Sequence, residues 1–165
     1  MGHNYGGEPR LVMPAAGISW VNGIVGLMLA VEAVLLIALT VIVGMPFWAA
    51  FVSLASIGLV ALLIWAIVPR TYEVYDDRLV LVFALWRWNI GMDSIELAQP
   101  ASWWKSYGYW GVRFATAPGK AVELRRRGGS SFSRPNLIIS PEDREFFLAE
   151  LNTALARYGR SQPTA

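Results

Sequence analysis

The apolar block Ile18–Val68 is the feature that most limits how this chain can fold. It contains one ionisable residue, Glu32, and the turn-forming sequence Gly44-Met45-Pro46 divides it into two runs. As α-helices rising about 1.5 Å per residue, the runs 18–43 and 47–68 would each exceed the roughly 30 Å hydrocarbon core of a bilayer. The block therefore predicts a transmembrane α-helical hairpin.

The rest of the composition excludes several kinds of chemistry. The 165-residue chain has no cysteine, and its one histidine, His3, lies in a glycine-rich segment. A thiolate metal site, a disulfide framework, a histidine metal cluster and a Ser-His-Asp triad are therefore excluded within one chain. There is also no phosphate-binding glycine loop and no carboxylate pair with catalytic spacing. We expect a non-enzymatic protein without a cofactor.

Charge indicates where the chain lies. From Arg70 onward there are 13 Lys and Arg against 10 Asp and Glu, a balance that suits an anionic leaflet and is too weak for nucleic acid. Arg10 precedes the first run and several arginines follow the second, whereas the turn between the runs has no basic residue. The positive-inside rule therefore predicts a multi-pass protein of the inner (plasma) membrane with both termini cytoplasmic. Met1–Gly17 has no basic signal-peptide region, and we expect it to be a flexible tail.

Glu32 lies near the middle of the first predicted span. A carboxylate at that depth is costly, so it should face protein or be protonated. It could act as a proton or ion site, or pair with a basic group of another chain. Alternatively, it is a neutral acid with a structural hydrogen bond across the hairpin or between protomers, for which Ser53 and Ser56 are candidate partners.

The segment 70–158 has the pattern of a small α+β domain. Alternating apolar residues predict about seven short antiparallel strands, the fifth and sixth forming a hairpin about Pro118-Gly119. Ser140 is expected to cap a C-terminal helix that Gly159 ends, before a flexible tail at 159–165. The predicted strands are 71–75, 78–83, 86–90, 95–98, 109–116, 121–126 and 137–139. A helix that covers one open end of a strongly bent sheet would bury its apolar face.

Two motifs stand out in this segment, and they are Tyr72-Glu73-Val74-Tyr75-Asp76-Asp77-Arg78-Leu79-Val80 and Ile90-Gly91-Met92-Asp93-Ser94-Ile95. The first is similar to the opening hairpin of the bacterial pleckstrin-homology-like domains that follow a transmembrane pair. The second resembles the step into a later strand of that family, with Gly91 in place of the usual proline. Similar positions occur at Gly111-Val112-Arg113-Phe114 and Ser140-Pro141-Glu142-Asp143. The resemblance implies a split β-barrel of about seven antiparallel strands capped by the helix, an adaptor role, and no catalytic residues.

The sequence offers two candidate contact regions outside the membrane block. The aromatic stretch that contains Trp103, Trp104, Lys105 and Trp110 could enter lipid headgroups or bind protein, or its rings could cover the core of the domain. The run Arg125, Arg126 and Arg127 could hold an anionic headgroup, or it could be a solvated strand end. A phosphoinositide pocket at the first hairpin loop is disfavoured, because Asp76 and Asp77 would repel a phosphate.

These observations lead to two functional hypotheses. In the first, the chain is a membrane-anchored adaptor that binds protein or anionic lipid, with membrane lipid and a protein partner or a second copy as its contacts. In the second, it is an accessory subunit of a membrane transport system, and Glu32 is its functional group.

Overall fold

The computed structural model describes residues 7–42, 44, 46–102, 112–127 and 136–161. The chain forms two compact units. One is the apolar block Ile18–Val68, and the other combines Met1–Gly17 with Pro69–Ala165. The second unit, called the α+β unit below, is therefore assembled from segments on both sides of the block.

The apolar unit consists of helices α1 (Ile18–Ile42) and α2 (Phe47–Ile67). The break between them includes Gly44, whose φ of 71° is costly for residues that have a Cβ atom. Within the described residues, α1 is the one helix that passes a length-and-hydropathy test for crossing a membrane, and Phe51–Ile67 is a shorter apolar stretch. Only 6% of the most apolar 18-residue window of α1 is buried.

The first sheet of the α+β unit is antiparallel, with the strands in the order β1-β2-β3-β4. Alternation along β2 buries Tyr72 and Val74 and leaves Thr71 and Glu73 partly exposed, as expected for a strand with one face on the core. The strands are β1 (Leu11–Pro14), β2 (Thr71–Val74), β3 (Arg78–Val82) and β4 (Arg87–Gly91).

At Leu11–Pro14, strand β1 corrects the prediction that Met1–Gly17 is a flexible tail. Its residues alternate, with Met13 buried and Val12 exposed, and it pairs with β2 from Leu11 opposite Val74 to Pro14 opposite Thr71. Local patterns barely indicate this strand, because β1 is four residues long and its partner follows the whole apolar block. The two strands that flank the block are thus neighbours in one sheet.

The second sheet is mixed, with the order β5-β7-β8-β6. The predicted hairpin about Pro118-Gly119 is wrong, because β8 lies between β6 and β7 and runs parallel to β6. All three residues of β8 are buried because both faces of the strand are covered, with Leu137 and Ile139 in the main core and Ile138 against Ala101 and Ala121. The strands are β5 (Ile95–Pro100), β6 (Val112–Phe114), β7 (Val122–Arg126) and β8 (Leu137–Ile139).

Helix α3 (Arg144–Ser161) packs its apolar face on a core to which both sheets contribute. Phe147 and Leu151 are fully buried, and the ring of Phe147 meets that of Tyr72 edge-on at 5.9 Å. Burial in this core raises the pKa of the Tyr72 phenol well above its usual value. The α+β class is therefore confirmed, but hydrogen bonds between the described strands form two sheets and do not close them into one barrel.

Both predicted ends of the C-terminal helix are wrong. The cap is Asp143, whose Oδ1 accepts a hydrogen bond from the Phe146 N–H at 3.0 Å. Ser140 is instead buried before the helix, where its hydroxyl donates to the Ala117 carbonyl at 3.0 Å. Gly159 lies inside α3, which continues to Ser161.

The residues just before α1 are held by the α+β unit. The Ala15 N–H donates to the Arg70 carbonyl at 2.8 Å, and the Ala16 N–H donates to the Ser140 carbonyl at 2.7 Å. Gly17 follows with a φ of 77°, and a Cβ atom added there would lie 3.1 Å from the Thr116 carbonyl oxygen. Glycine is therefore required at this position for both its conformation and its lack of a side chain.

We expect Gly17→Ala to lower the free energy of unfolding of the α+β unit by about 1–2 kcal/mol, because alanine is strained at positive φ. Denaturant titration in detergent micelles, followed by near-UV circular dichroism, would measure the change. Gly119→Ala is the matched control, because nothing lies within 4 Å of its added Cβ and its φ is not positive. Equal stability of the two variants would contradict the requirement for glycine at position 17.

Candidate functional site

The candidate site of the α+β unit is a groove of about 430 Å³ beside the C-terminal part of α3, called the α3 groove below. The 3-10 turn Met92–Ser94 and the start of β5 form one side, and residues near the end of α3 form the other. The groove is lined by Met92, Asp93, Ile95, Glu96, Arg127, Leu155, Tyr158 and Gly159. Leu155 and Tyr158 follow Leu151 at helical spacing, which brings them to the same side of α3.

The α3 groove has an apolar base and charged edges. Met92 and Ile95 are buried, whereas Asp93, Glu96 and Arg127 are exposed. Two carboxylates and one guanidinium give the groove a net negative charge, which disfavours an anionic headgroup or a free phosphate. Apolar surface beside carboxylates suits a polypeptide segment that carries a basic side chain.

The three consecutive arginines do not converge on one ligand site. Arg125 is exposed, and the Arg126 guanidinium lies 3.5 Å from the Ser94 hydroxyl. Arg127 donates its backbone N–H to the Ser94 carbonyl at 2.8 Å, and its side chain lines the α3 groove. The sequence singled out Arg127 but missed Asp93, Glu96 and Tyr158, which lie far from it along the chain.

The other predicted contact region lies outside the described residues. It contains Trp103, Trp104, Lys105 and Trp110. Its contact with lipid or protein stays a prediction.

The first hairpin loop has carboxylates that already have cationic partners. Arg10 Nη1 lies 2.6 Å from Asp76 Oδ1, and Arg78 Nη1 lies 3.0 Å from Asp77 Oδ2. The Arg78 guanidinium also stacks over the Tyr75 ring, 4.3 Å from its centroid. Burial, and a hydrogen bond from the phenol to Glu73, raise the pKa of Tyr75. The charged side chains of this loop are therefore paired with other residues of the α+β unit.

Glu32 occupies a groove of about 590 Å³ between α1 and α2. Its side chain is 8% exposed, and its Oε2 atom has no hydrogen-bond partner among the described residues. Ser53 lines the same groove, but the Ser56 hydroxyl donates to the Val52 carbonyl of its own helix at 2.8 Å. Of the two predicted serine partners, Ser53 is therefore the one that shares the groove with Glu32, whereas the Ser56 hydroxyl is already used within α2.

Within the described ranges, no group of three or more His, Cys, Asp or Glu side chains could hold a metal ion. No family model, curated protein or solved structure matches the chain.

We expect Glu32→Leu to stabilise the apolar unit by about 1–3 kcal/mol, because a buried oxygen without a hydrogen bond is costly. Thermal unfolding in detergent, followed by far-UV circular dichroism, would measure this. Glu32→Gln is the isosteric control and should bring no such gain, since its amide has the same need for partners. Destabilisation by Glu32→Leu would contradict this account and indicate that Glu32 makes a structural hydrogen bond.

Proposed function

We propose that this chain is a non-enzymatic, membrane-anchored binding protein. In this proposal, α1 and α2 cross the membrane as a hairpin, and the α+β unit is a cytoplasmic module that binds a protein partner. The observation that carries the proposal is the pairing of β1 with β2 across the apolar block, with Pro14 opposite Thr71.

That pairing limits the number of membrane crossings. Paired strands lie about 5 Å apart, whereas the hydrocarbon core is about 30 Å thick. An odd number of crossings would put Pro14 and Thr71 on opposite faces and break the sheet. If α1 crosses the bilayer, α2 must therefore return through it.

The surface of α1 supports crossing over lying flat on the membrane. Val34, Ile37 and Leu39 are all exposed, and at about 100° per residue Ile37 and Leu39 point to nearly opposite sides of the helix. A helix that lies in the interface needs one polar face. The positive-inside pattern of Arg10 before the hairpin and Arg70 after it favours a cytoplasmic α+β unit in the inner membrane.

The resemblance to pleckstrin-homology-like domains is part of the same proposal. Seven strands and a C-terminal helix follow the apolar block, which is the order that the resemblance implies, whereas β1 and the parallel pairing of β6 with β8 depart from it. We infer that the two sheets are the halves of a split barrel and that the α3 groove is the adaptor site. The charge of the groove favours a polypeptide with a basic side chain over anionic lipid.

A topology experiment tests the two crossings, and the absence of cysteine makes single-cysteine labelling possible. We expect Glu8→Cys and Asp76→Cys to be labelled by a membrane-impermeant maleimide from the same side, and Pro46→Cys from the opposite side. Labelling of spheroplasts before and after permeabilisation gives the side. Opposite sides for residues 8 and 76 would overturn the proposal.

A second experiment tests the α3 groove as a protein-binding site. We expect a photo-crosslinking phenylalanine analogue in place of Tyr158 to form a protein adduct in cells, and Arg127→Glu to change its yield severalfold. Arg125→Glu is the control, because Arg125 is exposed and does not line the groove. Equal adduct yields from the otherwise unsubstituted chain, Arg127→Glu and Arg125→Glu would argue against binding in the α3 groove.

The unpartnered Oε2 atom of Glu32 favours a second candidate function. In an accessory subunit of a transport system, a hydrogen-bond donor from a partner helix would complete this site. Stabilisation by Glu32→Leu in the isolated protein, together with loss of activity in the membrane, would support this candidate.

A further inference from the structure

The turn between β3 and β4 exposes two large apolar side chains. Leu85 is 75% exposed and Trp86 is 53% exposed, whereas Phe83 is buried. The Phe83 N–H donates to the Trp86 carbonyl at 2.9 Å, and the two rings lie 4.8 Å apart. The exposed pair is thus carried by a hydrogen-bonded turn that is anchored to the core.

Strand register places this turn at one particular end of the first sheet. Val82, the last residue of β3, is opposite Thr71, and it is also opposite Arg87 at the start of β4. Thr71 is in turn opposite Pro14. The turn therefore lies at the end of the sheet where the chain leaves towards α1 and returns from α2.

The connections at this end are short. Ala16 is hydrogen-bonded within the α+β unit, and only Gly17 separates it from the start of α1. Arg70 donates its N–H to the Val82 carbonyl at 2.7 Å, and two residues separate it from the end of α2. Gly17 on one side and Val68-Pro69 on the other are therefore the whole connection between this end of the sheet and the two helices.

We propose that Leu85 and Trp86 insert into the headgroup boundary of the leaflet from which α1 and α2 start and end. This inference rests on the proposed two-span topology. Tryptophan combines an apolar ring with an N–H donor and is enriched at that depth, and leucine adds apolar area. Arg87 follows directly, and its Nη1 lies 3.5 Å from Glu73 Oε2. Because 63% of the Arg87 side chain is still exposed, its guanidinium can also reach lipid phosphate.

This contact gives the α+β unit a defined orientation on the membrane. The Met92 N–H donates to the Asp77 carbonyl at 2.9 Å, which ties the 3-10 turn of the α3 groove to the β2–β3 loop. That loop lies at the opposite end of the first sheet from Leu85. The α3 groove therefore faces the aqueous phase, where a soluble partner can reach it.

The test uses the cysteine-free 165-residue chain in vesicles of phosphatidylcholine and phosphatidylglycerol. Single variants Leu85→Cys, Asp76→Cys and Val34→Cys carry an environment-sensitive fluorophore, and nitroxide lipids serve as quenchers. We expect the label at 85 to shift to the blue and to be quenched by shallow nitroxides. The label at 76, in the opposite loop, should show neither effect, and the label at 34, within α1, should be quenched by deep nitroxides.

The three positions separate failure of this inference from failure of the proposed topology. If the label at 85 behaves like that at 76 while the label at 34 is quenched, the turn does not enter lipid and the two-span proposal stands. A blue shift at 85 without lipid quenching would mean that protein covers the turn, which also overturns the inference. If the label at 34 is not quenched, the topology itself is wrong.

Discussion

The pairing of β1 with β2 is the interaction on which the rest of the structure depends. These strands flank the apolar block, and their register brings Pro14 opposite Thr71. The α+β unit cannot complete its first sheet unless the apolar segment returns the chain to the place it left. In the proposed account, the pairing of β1 with β2 therefore also limits how the apolar block can cross a membrane, because only Gly17 and Val68-Pro69 connect the sheet to the helices.

The α+β unit has two ends with different chemistry. One end holds the connections to α1 and α2 together with the exposed Leu85 and Trp86. The other holds the ion-paired loop at Asp76 and, beside α3, a groove with carboxylates at its edge. In the proposed account, the first end contacts lipid and the second remains free for a protein partner.

Local patterns predicted most of the elements and few of the long-range contacts. The break near Gly44 and strands β2 and β3 follow from turn residues and alternation that lie close together in the sequence. Strand β1 and the position of β8 between β6 and β7 depend on partners far along the chain, which local periodicity does not encode. The same limit applies to the α3 groove. Arg127 is conspicuous in a run of arginines, whereas Asp93 and Tyr158 are distant in the sequence and line the same groove only because the chain folds.

One measurement tests the central claim most directly, namely disulfide formation between β1 and β2 in native membranes. Val12→Cys and Glu73→Cys are opposite each other, and a protease site introduced at Pro46 would divide the chain between the helices. The account predicts that mild oxidation keeps the two fragments joined, whereas the control pair Val12→Cys and Asn89→Cys, which lies three strands apart, lets them separate. Separation of the fragments with the first pair would contradict the account.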